Sequence, residues 1–190
     1  VIQTRRLQLV PCARQDLEAI LQDKQALGTR LRLTIPETWP TFPESFEYSY
    51  HLLTLEPGLA ALGWWVYLFI HVQERVLVGS GGFTAEPDAG GAVEIGYEIA
   101  GEYRNRGLAT EAAQGLIAYA FGHPEVTAVE AHTLAEPNPS VRVLEKVGMV
   151  RVRTLYGTED GDLWHWRITR QAFQARRPSA ADMTEWREHP

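Results

Sequence analysis

Along the chain the hydrophobic pattern changes period once in a way that matters. Val93, Ile95, Tyr97 and Ile99 alternate with Glu94, Gly96 and Glu98, the period of two that predicts a strand. From Leu108 the apolar residues Leu108, Ala112, Leu116 and Tyr119 recur at helical spacing, and Ala109, Ala113, Ile117 and Ala120 widen that face into a largely buried helix ending near Phe121. Upstream, Gln3 to Val10 alternates as a first strand that Pro11 ends, and Leu17, Ile20, Leu21 and Leu27 form an amphipathic run. Residues 30–58 are punctuated by Pro36, Pro40, Pro43 and Pro57, which predicts only short helices among Trp39, Phe42, Phe46, Tyr48 and Tyr50. Trp64 to His71 and Val76 to Phe83 read as a hairpin, and Pro87 to Gly91 as the turn that delivers the chain to Val93. The strand Val126 to Thr133, reached through a helix, is expected to run parallel to its predecessor. Asn138-Pro139-Ser140 opens a further helix, capped by Asn138, with Val143, Leu144 and Val147 buried and Gly148 at its end. Arg151 to Tyr156 and Leu163 to Ile168 close the pattern as a hairpin. The expected class is α/β, a mixed and mostly antiparallel sheet with one parallel strand pair, flanked by helices. Residues 1–175 are expected to form one domain, followed by a polar tail over 176–190.

Composition narrows the function classes. The chain has 190 residues, 45% hydrophobic and 22% charged, with the balance of a globular protein and no run apolar enough to span a bilayer. A net charge of -6 argues against a nucleic-acid footprint. No basic segment followed by an apolar stretch opens the sequence, so a cytoplasmic location is the expectation. The single cysteine, Cys12, rules out an internal disulfide framework and reads as a small filler beside a helix start. His51 and His71 lack the paired spacing of metal ligands, so no metal is expected.

Between the strand and the helix lies Arg104-Asn105-Arg106-Gly107-Leu108-Ala109-Thr110. A helix start leaves N–H groups without intrahelical partners, its dipole favours negative charge, and two arginines flank this one, so the turn suits a pyrophosphate. It is neither a Walker loop nor a dinucleotide GxGxxG loop. With Glu94-Ile95-Gly96-Tyr97 before it, Ala109-Thr110-Glu111-Ala112 after it and Val143 to Met149 further on, the stretch resembles the GNAT acyl-CoA-dependent N-acyltransferases, nearest to the RimJ/RimL-like branch. The opening Thr4-Arg5-Arg6-Leu7 belongs to the same resemblance, which covers residues 1–173. It implies a GNAT-type fold and acetyl-CoA as cosubstrate, held by Ile99, Arg104, Asn105, Arg106, Gly107, Leu108, Ala109 and Thr110. The implied partner is an amine acceptor, with a homodimer as one option for assembly. The reaction that the resemblance implies is direct attack of the amine in a ternary complex; a catalytically silent CoA-binding sensor or assembly module is the alternative.

The resemblance also points to catalytic residues. Glu94 stands where the family often carries its general base, although the pattern alone reads it as a strand residue alternating with Ile95. Glu98, on the same face, is the second candidate. Where many members carry a tyrosine acid this chain has Leu144, and the RimL-like branch offers a serine, matched by Ser140, which also reads simply as a first-turn residue. The asparagine that commonly touches the pantetheine arm falls one position out of register, with Pro137 in its place and Asn138 beside it.

Overall fold

Strands β1 (Ile2–Gln3), β2 (Leu7–Pro11), β3 (Val66–His71), β4 (Val76–Phe83), β5 (Ala92–Ile99), β6 (Ala128–Leu134), β7 (Val150–Thr158) and β8 (Gly161–Thr169) form one sheet in the order β1-β2-β3-β4-β5-β6-β8-β7. Every neighbouring pair is antiparallel except β5 with β6, which is the one parallel pair. This computed structural model describes residues 1–56, 58 and 63–176; of the polar tail expected over 176–190, all but Arg176 lies outside them. The helices are α1 (Arg14–Gln22), α2 (Lys24–Leu31), α3 (Glu44–Leu55), α4 (Leu108–Gly122), α5 (Pro139–Val147) and α6 (Arg170–Ala175). No helix among the described residues is long and apolar enough to cross a membrane.

Alternation along the strands divides the core in two. Tyr67, Phe69, Val78, Val93, Ile95 and Ile99 point to the face covered by α4, meeting Leu108, Ala112, Leu116 and Ile117. Leu68 and Leu77 point the other way, to a second cluster with Leu17 of α1, Leu27 of α2 and Phe46 and Leu53 of α3. Each fully buried leucine contributes about 2 kcal/mol. The second cluster draws nothing from β6, β7 or β8, so the face opposite α4 is apolar and helix-covered at one end of the sheet and polar at the other.

The structure departs from, or refines, the sequence pattern in five places. The first strand is two, because the Thr4 hydroxyl accepts a hydrogen bond from Leu7 N (3.0 Å) and donates one to Glu111 Oε1 (2.7 Å), turning the backbone between β1 and β2. Pro11 stays within β2 as its final residue, opposite Tyr67, where a strand end tolerates it. The run from Leu17 to Leu27 is interrupted by Asp23, which ends α1 and caps α2 by accepting from Gln25 N at 2.9 Å; Leu21 is left exposed. The proline-punctuated segment holds a helix of 12 residues, because Pro43 falls at its start and Pro57 beyond its end. In the closing hairpin β8 takes the inner position: Trp166 and Ile168 are buried, with Trp166 Nε1 donating to Thr133 Oγ1, whereas Val150 and Val152 of β7 are exposed.

Candidate active site

β5 and β6 pair only through Ala92 with Ala128, Val93 with Val129 and Glu94 with Glu130. Beyond these, β5 follows β4 as far as Ile99 opposite Gly79, while β6 follows β8 as far as Leu134 opposite Leu163. The parallel strands therefore part just after Glu94. At the end of β5 the chain passes through a short 3-10 turn, Gly101–Tyr103, and enters the arginine loop. Arg104 Nε donates to Ile99 O (3.0 Å), and Arg106 donates to Glu102 O (3.1 Å) with its guanidinium over the Tyr103 ring, so both charges are held on the loop. Asn105 (φ 61°) and Gly107 (φ 75°) adopt left-handed backbone, a conformation glycine takes without strain.

α4 starts with no side-chain cap. Its first turn closes with Glu111 N donating to Gly107 O, which leaves the N–H groups of Leu108, Ala109 and Thr110 without intrahelical acceptors. Glu111 would oppose an anion there, but its carboxylate is occupied by the Thr4 hydroxyl, Arg6 N (2.6 Å) and Arg6 Nε (2.7 Å). Burial pushes the Glu111 carboxyl up, yet these hydrogen bonds and the Arg6 charge together outweigh burial and hold it below its ordinary range. Arg6 also donates to Arg106 O, tying the β1–β2 turn to the loop. Uncapped N–H groups, the helix dipole and two fixed arginines together make a cradle that suits a pyrophosphate.

On the other side of β5 a cleft of about 610 Å³ opens between the strand and α3. Phe42, Tyr48, Leu52, Trp64 and Phe83 line it, with Glu98 inside. Glu98 is fixed: Ser80 Oγ donates to Oε1 (2.8 Å), Thr41 N donates to Oε2 (2.7 Å), and the fully buried Trp39 donates through Nε1 to Ser80 Oγ (3.0 Å). Gly96, also lining the cleft, sits on β5 between Glu94 and Glu98 on the same face.

Glu94 meets a different neighbourhood. Its Oε1 lies 2.8 Å from Nδ1 of His132 on β6, where the strands begin to part. A carboxylate can only accept, so Nδ1 is the donor in this contact and Nε2 is the nitrogen whose lone pair could take a further proton. The His132 ring stacks on His165 with centroids 4.7 Å apart. His165 accepts at Nδ1 from Arg153 Nε (3.1 Å), and its Nε2 lies 2.9 Å from Glu130 Oε2, in ion-pair range but off the line of a hydrogen bond. Arg167 completes the row by donating to Glu130 Oε1 at 2.9 Å.

Ser140 stands in the first turn of α5, beside the Tyr97 hydroxyl. That hydroxyl is buried and lacks an aligned hydrogen-bond partner. Burial pushes the Tyr97 phenol far up and the Ser140 contact offsets this only in part, so it remains a proton-bearing donor. Leu144 is buried and inert. Asn138 is spent on its own turn: Oδ1 accepts from Val141 N (3.1 Å) and Nδ2 donates to Leu134 O and Glu136 O.

The loop residues 104–110 thus stand together on one side of β5, and Glu94 and Glu98 share its other face at separate partners. Tyr97 and His132 are the site neighbours that pattern reading passes over. Cys12 is fully buried, and burial pushes its thiol well up, as suits a filler. His71 is buried and accepts at Nδ1 from Glu74 N, whereas His51 is an exposed residue of α3. No cluster of metal-ligating side chains occurs among the described residues.

Residues 6–150 match the family model of the acetyltransferase (GNAT) domain. The chain is 29% identical over 153 residues to the uncharacterized N-acetyltransferase YjdG of Bacillus subtilis (strain 168), covering 79% of this chain and 89% of that one. Among solved structures it resembles a GNAT-family acetyltransferase from Bacillus anthracis (TM-score 0.63, 23% identity, 90% of this chain and 98% of the other). It also resembles RimL, a ribosomal alpha-N-protein acetyltransferase in complex with coenzyme A (TM-score 0.66, 16% identity, 89% and 97%). At these identities the structural likeness is one of fold.

Proposed function

Because the chain belongs to the GNAT acetyltransferase family, we propose that residues 1–175 form an acetyl-CoA-dependent N-acetyltransferase that acts on a primary amine by direct attack in a ternary complex. One observation carries this reading: the uncapped first turn of α4 and the carboxylates of Glu94 and Glu98 open on the two sides of the same strand, where it parts from β6. Diphosphate oxygens would take the N–H groups of Leu108, Ala109 and Thr110, with Arg104 and Arg106 supplying charge. The amine must first lose a proton, since an alkyl ammonium has no lone pair; the Glu94–His132 pair would accept it, Glu94 holding Nδ1–H and Nε2 taking the proton directly or through water. Nitrogen then bonds to the thioester carbonyl carbon and gives up one of its two protons to solvent as the C–S bond breaks, while the sulfur leaves with the electron pair and takes a proton from solvent, giving amide and CoA thiol. Ser140, which neighbours the proton-bearing Tyr97 hydroxyl, would donate a hydrogen bond to that sulfur.

Titration calorimetry with acetyl-CoA, followed by thiol release across an amine panel, tests the proposal. Glu94→Gln should leave acetyl-CoA affinity intact and lower turnover, and His132→Gln should do the same. Binding without transfer to any amine would make the chain a CoA-binding module instead, and absence of binding would remove both readings.

A further inference from the structure

The cleft side of β5 has a chemical character that narrows the acceptor. Phe42, Tyr48 and Leu55 are 54%, 62% and 65% exposed, and all three lie on this one cleft. Exposed apolar side chains scattered singly need no explanation, but gathered around a concave site they mark a surface waiting for an apolar partner. Trp64 and Phe83, packed edge to face with centroids 4.9 Å apart, give the cleft a rigid aromatic wall. No lysine or arginine lines it among the described residues, whereas Glu56, Glu86 and Glu98 do. Of these, Glu56 and Glu86 are exposed and solvated. Glu98 alone is held in place, by the Ser80 hydroxyl and the Thr41 amide.

Gly96 supplies the missing volume. A Cβ built there meets no atom within 4 Å, so the strand surface between Glu94 and Glu98 is an open notch on the cleft side. Of the two carboxylates beside the notch, Glu94 is engaged by His132 and only Glu98 lines the cleft, with an apolar wall beyond it, which favours a molecule with one positive end and an apolar remainder. A polyamine would find for its second ammonium only the solvated carboxylates of Glu56 and Glu86, where an ion pair is worth little, and a peptide would leave backbone N–H and C=O groups against the wall without partners.

We infer that the acceptor is a primary monoamine on a compact apolar body, such as an arylalkylamine, with its nitrogen over Gly96 beside Glu98 and its body against Phe42, Tyr48, Leu52 and Trp64. This rests on the acetyl-transfer reading. The test uses the full chain at saturating acetyl-CoA with 2-phenylethylamine, spermidine and a tetrapeptide bearing a free N-terminal serine. The kcat/KM for 2-phenylethylamine should exceed the other two by roughly tenfold or more. Gly96→Val, which the space allows in a strand, should raise the KM for 2-phenylethylamine by about tenfold while the acetyl-CoA dissociation constant stays unchanged. Tyr48→Asp, at an exposed position, should erode the preference over spermidine. Preference for spermidine or the peptide, or an unchanged KM in a folded Gly96→Val variant, would overturn the inference and leave acetyl transfer standing. Failure to bind acetyl-CoA, or to acetylate any amine, would overturn both.

Discussion

Two helices start on the same side of the sheet, and they start in opposite ways. α5 satisfies its own first turn: Asn138 accepts from Val141 N, and Pro139 removes one donor at the position where a donor would be idle. α4 does neither. Its N-cap is a left-handed glycine with no side chain to offer, and the nearby acid, Glu111, is turned away onto Thr4 and Arg6. A fold that needed only stability would cap both; leaving one open, beside two arginines, is what an anion site requires.

The sharpest way to break this contrast is to close α4. Gly107→Asp puts a carboxylate at the open turn, where aspartate tolerates left-handed backbone and the nearest obstacle to a Cβ is Arg6 at 3.6 Å. Acetyl-CoA affinity should fall about a hundredfold, or about 2.7 kcal/mol, by calorimetry on protein shown folded by circular dichroism. An unaltered affinity would mean that the open turn is not where the diphosphate binds.

Glu111→Ala should cost about 2 kcal/mol at pH 7, since it strips three donors of their charged acceptor. The sign follows from its lowered carboxyl: the stabilisation is present above the unfolded value of about 4.3 and is lost as pH falls through the lower folded value. Urea unfolding of wild type and variant should therefore converge as pH falls through the lowered folded value, and a gap independent of pH would refute the assignment.

Ser140→Ala tests whether the first turn of α5 serves chemistry as well as folding. Single-turnover acetyl transfer should slow about tenfold, about 1.4 kcal/mol, with acetyl-CoA binding unchanged. Smallest of all is Asn138→Ala, expected to lower stability by about 1 kcal/mol in thermal unfolding. Its acetyl-CoA affinity should stay within about twofold, because the amide is already committed to the cap; a larger loss would give Asn138 a second role.

The strand–loop–helix unit was legible in the chain because its signals are local: a change of period at Leu108, two arginines and a glycine within four residues. The same holds for the Asn138 cap, which needs only three consecutive residue types. The break between β1 and β2 was not legible, since the local Thr4–Leu7 bonds act together with a hydrogen bond from Thr4 to a residue 107 positions away. His132 reads as one more polar position on an alternating strand until the parallel register sets it against Glu94. Tyr97 passes as an apolar member of its strand, and only the position of α5 gives its hydroxyl a neighbour in Ser140. The place of β8 between β6 and β7 depended on which of two apolar strands buries more, a competition that pattern alone does not decide.

Thr41 holds Glu98 through its backbone amide, not its side chain. Any residue but proline can supply that donor, so position 41 is free to drift while the carboxylate stays in register. Its neighbours Phe42 and Tyr48 carry none of the Glu98 hydrogen bonds and can also be exchanged one at a time. The anchor and the wall are thus separately heritable, and a lineage built on this arrangement could move from one amine to another by changing the wall alone.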